Sequence, residues 1–566
     1  MEKPWLKFYE SHVSASLDYP DATMPALLLD TARRYPEHMA TVFKGGKLTF
    51  REYNALIDRL AAALQKMGVK KGDRVAIHLP NCPQFPISYY AVLRIGGIVV
   101  PCNPLYTARE MRHQLKDSGA EIIITLTAMY PTIKQIRGET DLRHVIVAKI
   151  KTYFPPSLRI LFTLLKEKKS GHWVDISGDA NTHWFQDILA SAPPKPEPVE
   201  LSQDDTAVLM YTGGTTGVSK GAQLTHKNIL VNAYQCKVWL NAREAQEVVM
   251  TALPLYHSYA MTTCMNLGTI MAATMVLIPD PRDLEDVLKS IDKYKPTLYP
   301  GVPAMYVAIN NYPDLSKYDV SSLKACISGA AGLPVEVQQR FQELTGARLV
   351  EGYGLSEASP VTHANPIFGE NRVGTIGVPW PDTEAKIVDA DTGEKTLGPG
   401  EVGELCVRGP QVMKGYWNMP TETANVLWPD PDGGGPWLHT GDIAMMDEDG
   451  YFQIVDRKKD MILGAGGYNI YPREIEDVLY EHPKVLEATA VGVPVEGKGE
   501  RVKIYVVLKP GQTATEEEIL DFCRENLAPY KVPKFVEFRD SLPKSTVGKI
   551  LRRVLLEEEK KRQAGA

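Results

Sequence analysis

Eleven consecutive residues, Tyr211 to Gly221, read Tyr-Thr-Gly-Gly-Thr-Thr-Gly-Val-Ser-Lys-Gly. Gly213, Gly214 and Gly217 let a backbone close around an anion and present N–H groups to it. Thr212, Thr215, Thr216 and Ser219 add hydroxyl donors, and Lys220 adds a positive charge. Such a loop suits a polyphosphate. It does not follow the GxxxxGK[ST] pattern, so it is not the phosphate loop of P-loop nucleotidases. A short Gly/Thr run is usually a plain surface turn; a run this long after an apolar segment is not.

The elements around it follow from periodicity. Thr206 to Met210 reads as the strand leading in, and Thr225 caps a helix leading away. Upstream, Leu56, Leu60, Leu64 and Met67 repeat at helical spacing, predicting a helix over Leu48 to Met67 that ends at Gly68. A strand is expected at Arg74 to His78, a helix around Pro86 to Ile95, and a strand at Gly97 to Pro101. Helices alternating with short apolar runs predict an α/β fold with doubly wound, mostly parallel sheets. After about Pro379 the texture changes. Glu384 to Val388, Glu404 to Arg408 and Tyr451 to Val455 read as short strands, with a hairpin turn at Asp447 to Gly450. Residues 380–456 are expected to form a small β-barrel-like subdomain at the end of a large N-terminal unit, 1–456. Residues 457–566 are expected to form a small α+β domain. Its helix starts at Pro472, two strands lie near Glu487 to Val493 and Val502 to Leu508, and a capping box is formed by Thr515 and Glu518.

Bulk properties exclude several classes. The chain has 566 residues, too many for one core. Its net charge of −6 argues against nucleic acid. Seven scattered cysteines with no CxxC pair argue against a disulfide framework or a zinc site and for a reducing compartment. The first residues lack the apolar core of a signal peptide, and the last four are not a peroxisomal address. A cytoplasmic setting is expected. From Val248 to Pro279 there is no Asp, Glu, Lys or Arg. Its prolines, histidine and tyrosines mark it as a buried segment of a soluble domain rather than a membrane span. Tyr153 to Lys169 combines an apolar run with a basic end. It suits either a membrane surface or an insertion packed on its own domain.

The run Tyr211 to Gly221 resembles the signature of the adenylate-forming superfamily of acyl-CoA synthetases, luciferases and peptide-synthetase adenylation domains. Four further motifs follow in the family's order: Tyr353-Gly-Leu-Ser-Glu357, Thr440-Gly-Asp442, Asp456-Arg-Lys-Lys-Asp460 and Pro543-Lys-Ser-Thr-Val-Gly-Lys549. The resemblance spans essentially the whole chain and is strongest to long-chain fatty-acid:CoA ligases. It implies ATP and CoA as co-substrates, Mg²⁺ as cofactor, and roles for particular residues. Thr212 to Gly217 and Lys220 would hold the phosphates. Thr215 and Glu357 would hold Mg²⁺. Gly329, Ala330, Ala331, Gly352, Tyr353 and Gly354 would border adenine. Asp442 and Arg457 would take the ribose. Lys549 would neutralise charge as a carboxylate attacks the α-phosphate. Lys459 would be the hinge of a C-terminal domain that rotates between two half-reactions. Gly466, Gly467 and Tyr468 would lie near CoA, in a loop one residue longer than the family's usual spacing.

His257 matches the family position beside the acyl carboxylate. Amino-acid-activating relatives place an aspartate near there, but Leu255 to Met261 contains no acid. A buried ammonium would be left unpaired. A fatty or other apolar acid is expected, in a tunnel lined by Val248 to Ile278 and Cys326 to Gly329. The nearest rivals are a medium-chain or aryl acid, and transfer of the acyl group to a carrier protein instead of CoA. A luciferase-like oxygenase and a non-catalytic binding protein are further classes. Intact Lys549, Glu357, Asp442 and Lys459 weigh against the last. The resemblance is also compatible with a homodimer and with peripheral membrane contact.

Overall fold

A computed structural model describes residues 3–212, 219–430, 433–458, 460–463, 469–495, 499–545 and 550–564. The fold is the expected α/β type. An eight-stranded sheet has six parallel neighbours in the order Thr206–Thr212, Ile98–Pro101, Arg74–His78, Ile122–Leu126, His144–Ala148 and Thr182–Trp184. Lys220–Thr225 pairs antiparallel with Thr206–Thr212, and Gly415–Tyr416 adds to its outer edge.

A second sheet carries Gly46–Thr49, Met39–Phe43, Thr274–Leu277 and Val248–Thr251. Single parallel bridges at Leu298 join it to Ala325–Ser328, which is followed by Arg348–Gly354, Val361–Ala364 and Val378–Pro379. The helices Met24–Arg34, Phe50–Lys66, Gln84–Arg94 and His226–Trp239 supply much of the main core. Strands buried on both faces read as continuous apolar runs, as parallel sheets require.

Residues 384–457 form a five-stranded antiparallel sheet built on the long strand Trp437–Met446. Its turn to Phe452–Arg457 is the expected Asp447–Gly450 hairpin. The C-terminal domain packs the helices Pro472–Glu481 and Glu516–Asn526 on Val485–Val495, Gly499–Leu508 and Phe535–Phe538.

Several boundaries move for identifiable reasons. The helix expected from Leu48 starts at Phe50, because Thr49 caps it: its hydroxyl accepts from Glu52 N at 3.2 Å and Glu52 accepts from Thr49 N at 2.8 Å. Leu48 belongs to the preceding strand, and Gly68 takes the left-handed conformation at φ +95°. At Thr515 only half the box forms. Its hydroxyl accepts from Glu518 N at 3.2 Å, while the Glu518 carboxylate pairs with Lys484 at 2.6 Å.

The charge-free stretch is internal. It forms the strands Val248–Thr251 and Thr274–Leu277 around a helical turn, a π-helix at Met261–Asn266 and a short helix Leu267–Ile270, nearly all of it buried. Among the described residues no helix is long and apolar enough to cross a membrane.

Candidate functional site

The strands Thr206–Thr212 and Lys220–Thr225 pair Tyr211 with Gly221 and Thr212 with Lys220. The two strands that flank residues 213–218 therefore pair antiparallel as a hairpin, and the described ends of the Tyr211 to Gly221 motif belong to its strands. Gly213, Gly214, Thr215, Thr216 and Gly217 lie outside the described residues, as do Lys459, Gly466, Gly467, Tyr468 and Lys549. Both feet of the hairpin are held. Ser219 Oγ donates to Thr212 O at 2.7 Å, and Tyr211 Oη donates to Asp117 at 2.5 Å. Gly221 lies close under the Tyr211 ring, where a Cβ would come within 3.1 Å.

Lys220 forms an ion pair with Glu422, and its ammonium stands 5.2 Å from the Tyr416 ring centroid. Tyr416 Oη donates to Glu357 Oε1 at 2.8 Å. Since Tyr416 pairs with Ala222 on the hairpin's outgoing strand, one strand edge sets the position of Glu357 relative to Lys220. Glu357 sits in the short turn Ser356–Ala358, and its carbonyl accepts from Met413 N at 2.7 Å.

Gly352, Tyr353 and Gly354 end the strand Arg348–Gly354. A Cβ on Gly354 would fall 2.2 Å from Pro360 O, and one on Gly352 would meet Ile327 at 2.9 Å. The Tyr353 hydroxyl donates to Asp442 Oδ2. Enclosure, and then the Asp442 carboxylate, push this phenol well above its ordinary range, so it keeps its proton. Asp442 is 2 % exposed. Its other oxygen takes Arg457 Nε at 2.5 Å, across a direct pair of the strands Trp437–Met446 and Phe452–Arg457. Thus Tyr353, Asp442 and Arg457, spread over more than a hundred residues, meet at one carboxylate.

Gly329 follows the strand Ala325–Ser328 and lies against Tyr259, where a Cβ would be 3.1 Å from the ring. Ala330 adopts a left-handed φ of +68°, a conformation a side-chain-bearing residue seldom takes outside a constrained turn. Tyr259 Oη donates to Ile327 O at 2.7 Å. His257 is two residues before it. His257 Nδ1 accepts from Tyr259 N at 3.3 Å, capping the turn Ser258–Ala260. Ser258 and Ser356 hydroxyls meet at 3.1 Å, which ties the His257 turn to the Glu357 turn. Lys220, Glu357, Gly329 and His257 are thus linked through named contacts, on the same strand end that carries Tyr353 to Asp442.

The profile described as "AMP-binding enzyme" matches residues 28–417, and that described as "AMP-binding enzyme C-terminal domain" matches residues 474–549. The chain belongs to the AMP-binding enzyme family. It is 49 % identical to a long-chain-fatty-acid–CoA ligase of Bacillus subtilis, over 99 % of this chain and 98 % of the relative. Among solved structures it resembles an anthranilate CoA ligase in complex with anthranoyl-AMP, with a TM-score of 0.84 at 28 % identity over 98 % of this chain and 100 % of the other. A long-chain-fatty-acid-CoA ligase from Archaeoglobus fulgidus superposes with a TM-score of 0.69 at 27 % identity, over 94 % of this chain and 99 % of the other.

Within this family fold, sequence reading missed four residues that hold the site together. Tyr416 positions Glu357, as above. Arg473 reaches from the C-terminal helix Pro472–Glu481 to Glu351 at 3.5 Å; burial pushes the Glu351 carboxyl up and Arg473 pulls against it. Arg552 gathers Asp456 at 3.2 Å, Asp460 at 3.1 Å and Glu476 at 2.6 Å. Asn81 donates to Thr251 O at 3.0 Å and Leu253 O at 2.8 Å and accepts from Leu255 N at 2.8 Å. It fixes the extended segment that delivers His257. No local pattern marks Asn81, because its partners lie far along the chain. Arg552 had a signal: it stands three residues after Lys549.

Replacing Asn81 by Leu strands three buried backbone groups, each costing roughly 1–3 kcal/mol when left unpaired. The expected result is a clearly lowered urea midpoint for the large domain. A midpoint equal to wild type would mean that the segment Thr251–Leu255 is held by other contacts.

Proposed function

We propose that this protein is an ATP-dependent long-chain fatty-acid:CoA ligase. It joins a fatty carboxylate to AMP, releasing pyrophosphate, and then transfers the acyl group to CoA, releasing AMP. The observation that carries this reading is the convergence on Asp442. The buried Asp442 carboxylate is held by Tyr353 and Arg457 beside the tightly packed Gly352 and Gly354, and the Ser258–Ser356 contact ties the end of that strand to the His257 turn, whose own segment Leu255 to Met261 carries no acid.

In the first step a carboxylate oxygen of the acid bonds to the α-phosphorus as the bond to pyrophosphate breaks. Lys549 offsets the charge that builds up when the two anions meet. Lys220 and the hairpin amides hold the phosphates. Asp442 accepts from the ribose hydroxyls, and Arg457 pairs with it and orients it. In the second step the CoA sulfur bonds to the acyl carbon and AMP leaves. Residues 457–566 turn about Lys459 between the steps, and Gly466 to Tyr468 border the thiol's path.

Among the described residues no group of three or more His, Cys, Asp or Glu side chains is arranged to hold a metal. Glu357, a hard oxygen donor whose described contacts include Tyr416 but no ion pair, fits an ion such as Mg²⁺ that is held by one carboxylate and by phosphate oxygens. Glu357 and Thr215 would hold it, and it would offset triphosphate charge there.

An apolar acid suits the buried, charge-free stretch after Val248. The likeness to an anthranilate ligase keeps an aryl acid as the second reading. Pyrophosphate release with ATP and Mg²⁺ separates them across acetate, octanoate, palmitate, oleate, cinnamate and phenylalanine, with and without CoA. CoA-dependent turnover with palmitate or oleate is expected. Turnover on cinnamate alone establishes the aryl reading, and acyl-AMP accumulation indifferent to CoA points to a carrier protein.

Lys549→Ala should cut adenylation by roughly 10²–10³ or more while sparing thioester formation from supplied acyl-AMP. Lys459→Pro, which restricts the backbone, should do the reverse. Equal loss in both half-reactions for Lys549→Ala would remove its assigned role. Asp442→Asn removes a charged acceptor worth about 1.5–3 kcal/mol, so kcat/KM for ATP should fall about 10- to 100-fold, with KM for the fatty acid little changed.

A further inference from the structure

The segment after Ile150 is unlike the rest of the surface. The helix Pro156–Leu165 has no buried residue. Ile160, Leu161, Leu164, Leu165 and Trp173 are all exposed, Leu164 to 76 % and Trp173 to 68 %. Ile160 with Leu164, and Leu161 with Leu165, are i,i+4 pairs, so the four form one stripe along the helix. Leu158 and Phe162 occupy the half-buried side. An apolar stripe turned outward rather than into a core marks a contact surface.

The helix is nonetheless well rooted. Phe154 packs on Phe43 with ring centroids 5.6 Å apart and on Phe162 at 5.5 Å, and Phe162 packs on His172 at 5.7 Å. His172 meets the Thr127 hydroxyl at 2.8 Å. Phe43 pairs with Leu277, so the helix stands on the sheet that carries the charge-free stretch.

Its charge is one-sided. Between Thr152 and Val174 the only acid is Glu167. Glu167 is buried, with Lys151 Nζ 2.6 Å away. Arg159, Lys166, Lys168 and Lys169 are exposed. The outward surface of the helix is therefore apolar and cationic at once: the carboxylate within it is neutralised internally, and the next acid along the chain, the exposed Asp175, lies beyond Trp173. Water-facing helices and ordinary protein interfaces depart from this combination, whereas an interfacial helix on an anionic bilayer requires it: apolar side chains enter the acyl boundary, an exposed tryptophan sits at headgroup level, and basic side chains meet lipid phosphates.

We infer that the helix Pro156–Leu165, with Trp173 and the basic run Lys166–Lys169, docks this enzyme on an anionic lipid bilayer. The surface deepens the long-chain reading, since the acid it would deliver partitions into lipid. The docking itself is tested without any substrate and so can fail while the ligase reading stands.

The test is flotation of the full chain with vesicles of phosphatidylcholine alone or mixed with phosphatidylglycerol. Two variants are compared: Ile160→Gln, Leu161→Gln and Leu164→Gln combined, and Lys166→Glu, Lys168→Glu and Lys169→Glu combined. All changed side chains are exposed, so thermal unfolding should be unaltered. Wild type is expected to float with the anionic vesicles, to release as salt rises, and to lose at least about tenfold of its partition in each variant. No flotation of wild type, equal flotation with both vesicles, or unchanged flotation of both variants would overturn the proposal. So would sizing that shows a dimer converted to monomer by the glutamine variant with vesicle binding untouched, because the stripe would then belong to a second copy.

Discussion

One buried carboxylate, Asp442, ties the five-stranded subdomain to the second sheet. Asp442 is withdrawn from water and must be compensated, since an isolated buried charge is far costlier than a paired one. Its partners come from two directions: Tyr353 at the end of a strand in the second sheet, and Arg457 on the strand paired directly with its own. Meeting that requirement forces the five-stranded subdomain to dock where the Tyr353 strand ends. The glycines flanking Tyr353 have no freedom in this arrangement, because the strand meets Ile327 on one side and Pro360 on the other.

The same logic extends across the junction with the C-terminal domain. Asp456 is nearly as buried as Asp442 and lies one residue before Arg457. It accepts from Arg457 N at 2.7 Å and Arg473 N at 2.8 Å, and pairs with Arg552. Burial raises its carboxyl and Arg552 opposes that shift. Two adjacent residues thus face opposite ways: Arg457 pairs with Asp442 in the large domain, while Asp456 gathers groups from the C-terminal domain. Arg552 shares itself among three carboxylates, which suits a guanidinium with several fixed donors better than an ammonium.

What could be read from the sequence was whatever is encoded locally. The Thr225 cap, the Pro472 helix start and the Asp447–Gly450 turn each depend on neighbours a few residues apart, and the structure has the elements they mark. The Thr49–Glu52 box is equally local, and it outranks the apolar periodicity that places the helix start at Leu48. At Thr515 the pattern was present but Glu518 found a stronger partner in Lys484, a tertiary contact no window contains. Asn81, Tyr416 and Arg473 were illegible for the same reason: each acts on a partner made adjacent only by folding. The Tyr153–Lys169 segment was undecidable because helical periodicity says which side chains share a face, not which way that face turns.

The segment around His257, Leu255 to Met261, carries no acid of its own, which bears on substrate choice under the proposed function. The turn Ser258–Ala260 and the π-helix after it are buried among Tyr259, Met261, Cys264 and Met265. If this segment lines the acyl site, as the proposed function has it, it would return little for a polar headgroup beyond the carboxylate itself. An ammonium would enter without a partner from Leu255 to Met261, whereas each added methylene gains about 0.8 kcal/mol on leaving water. Selectivity among apolar acids would then come from depth and shape in the packed segment, whose approach Asn81 holds.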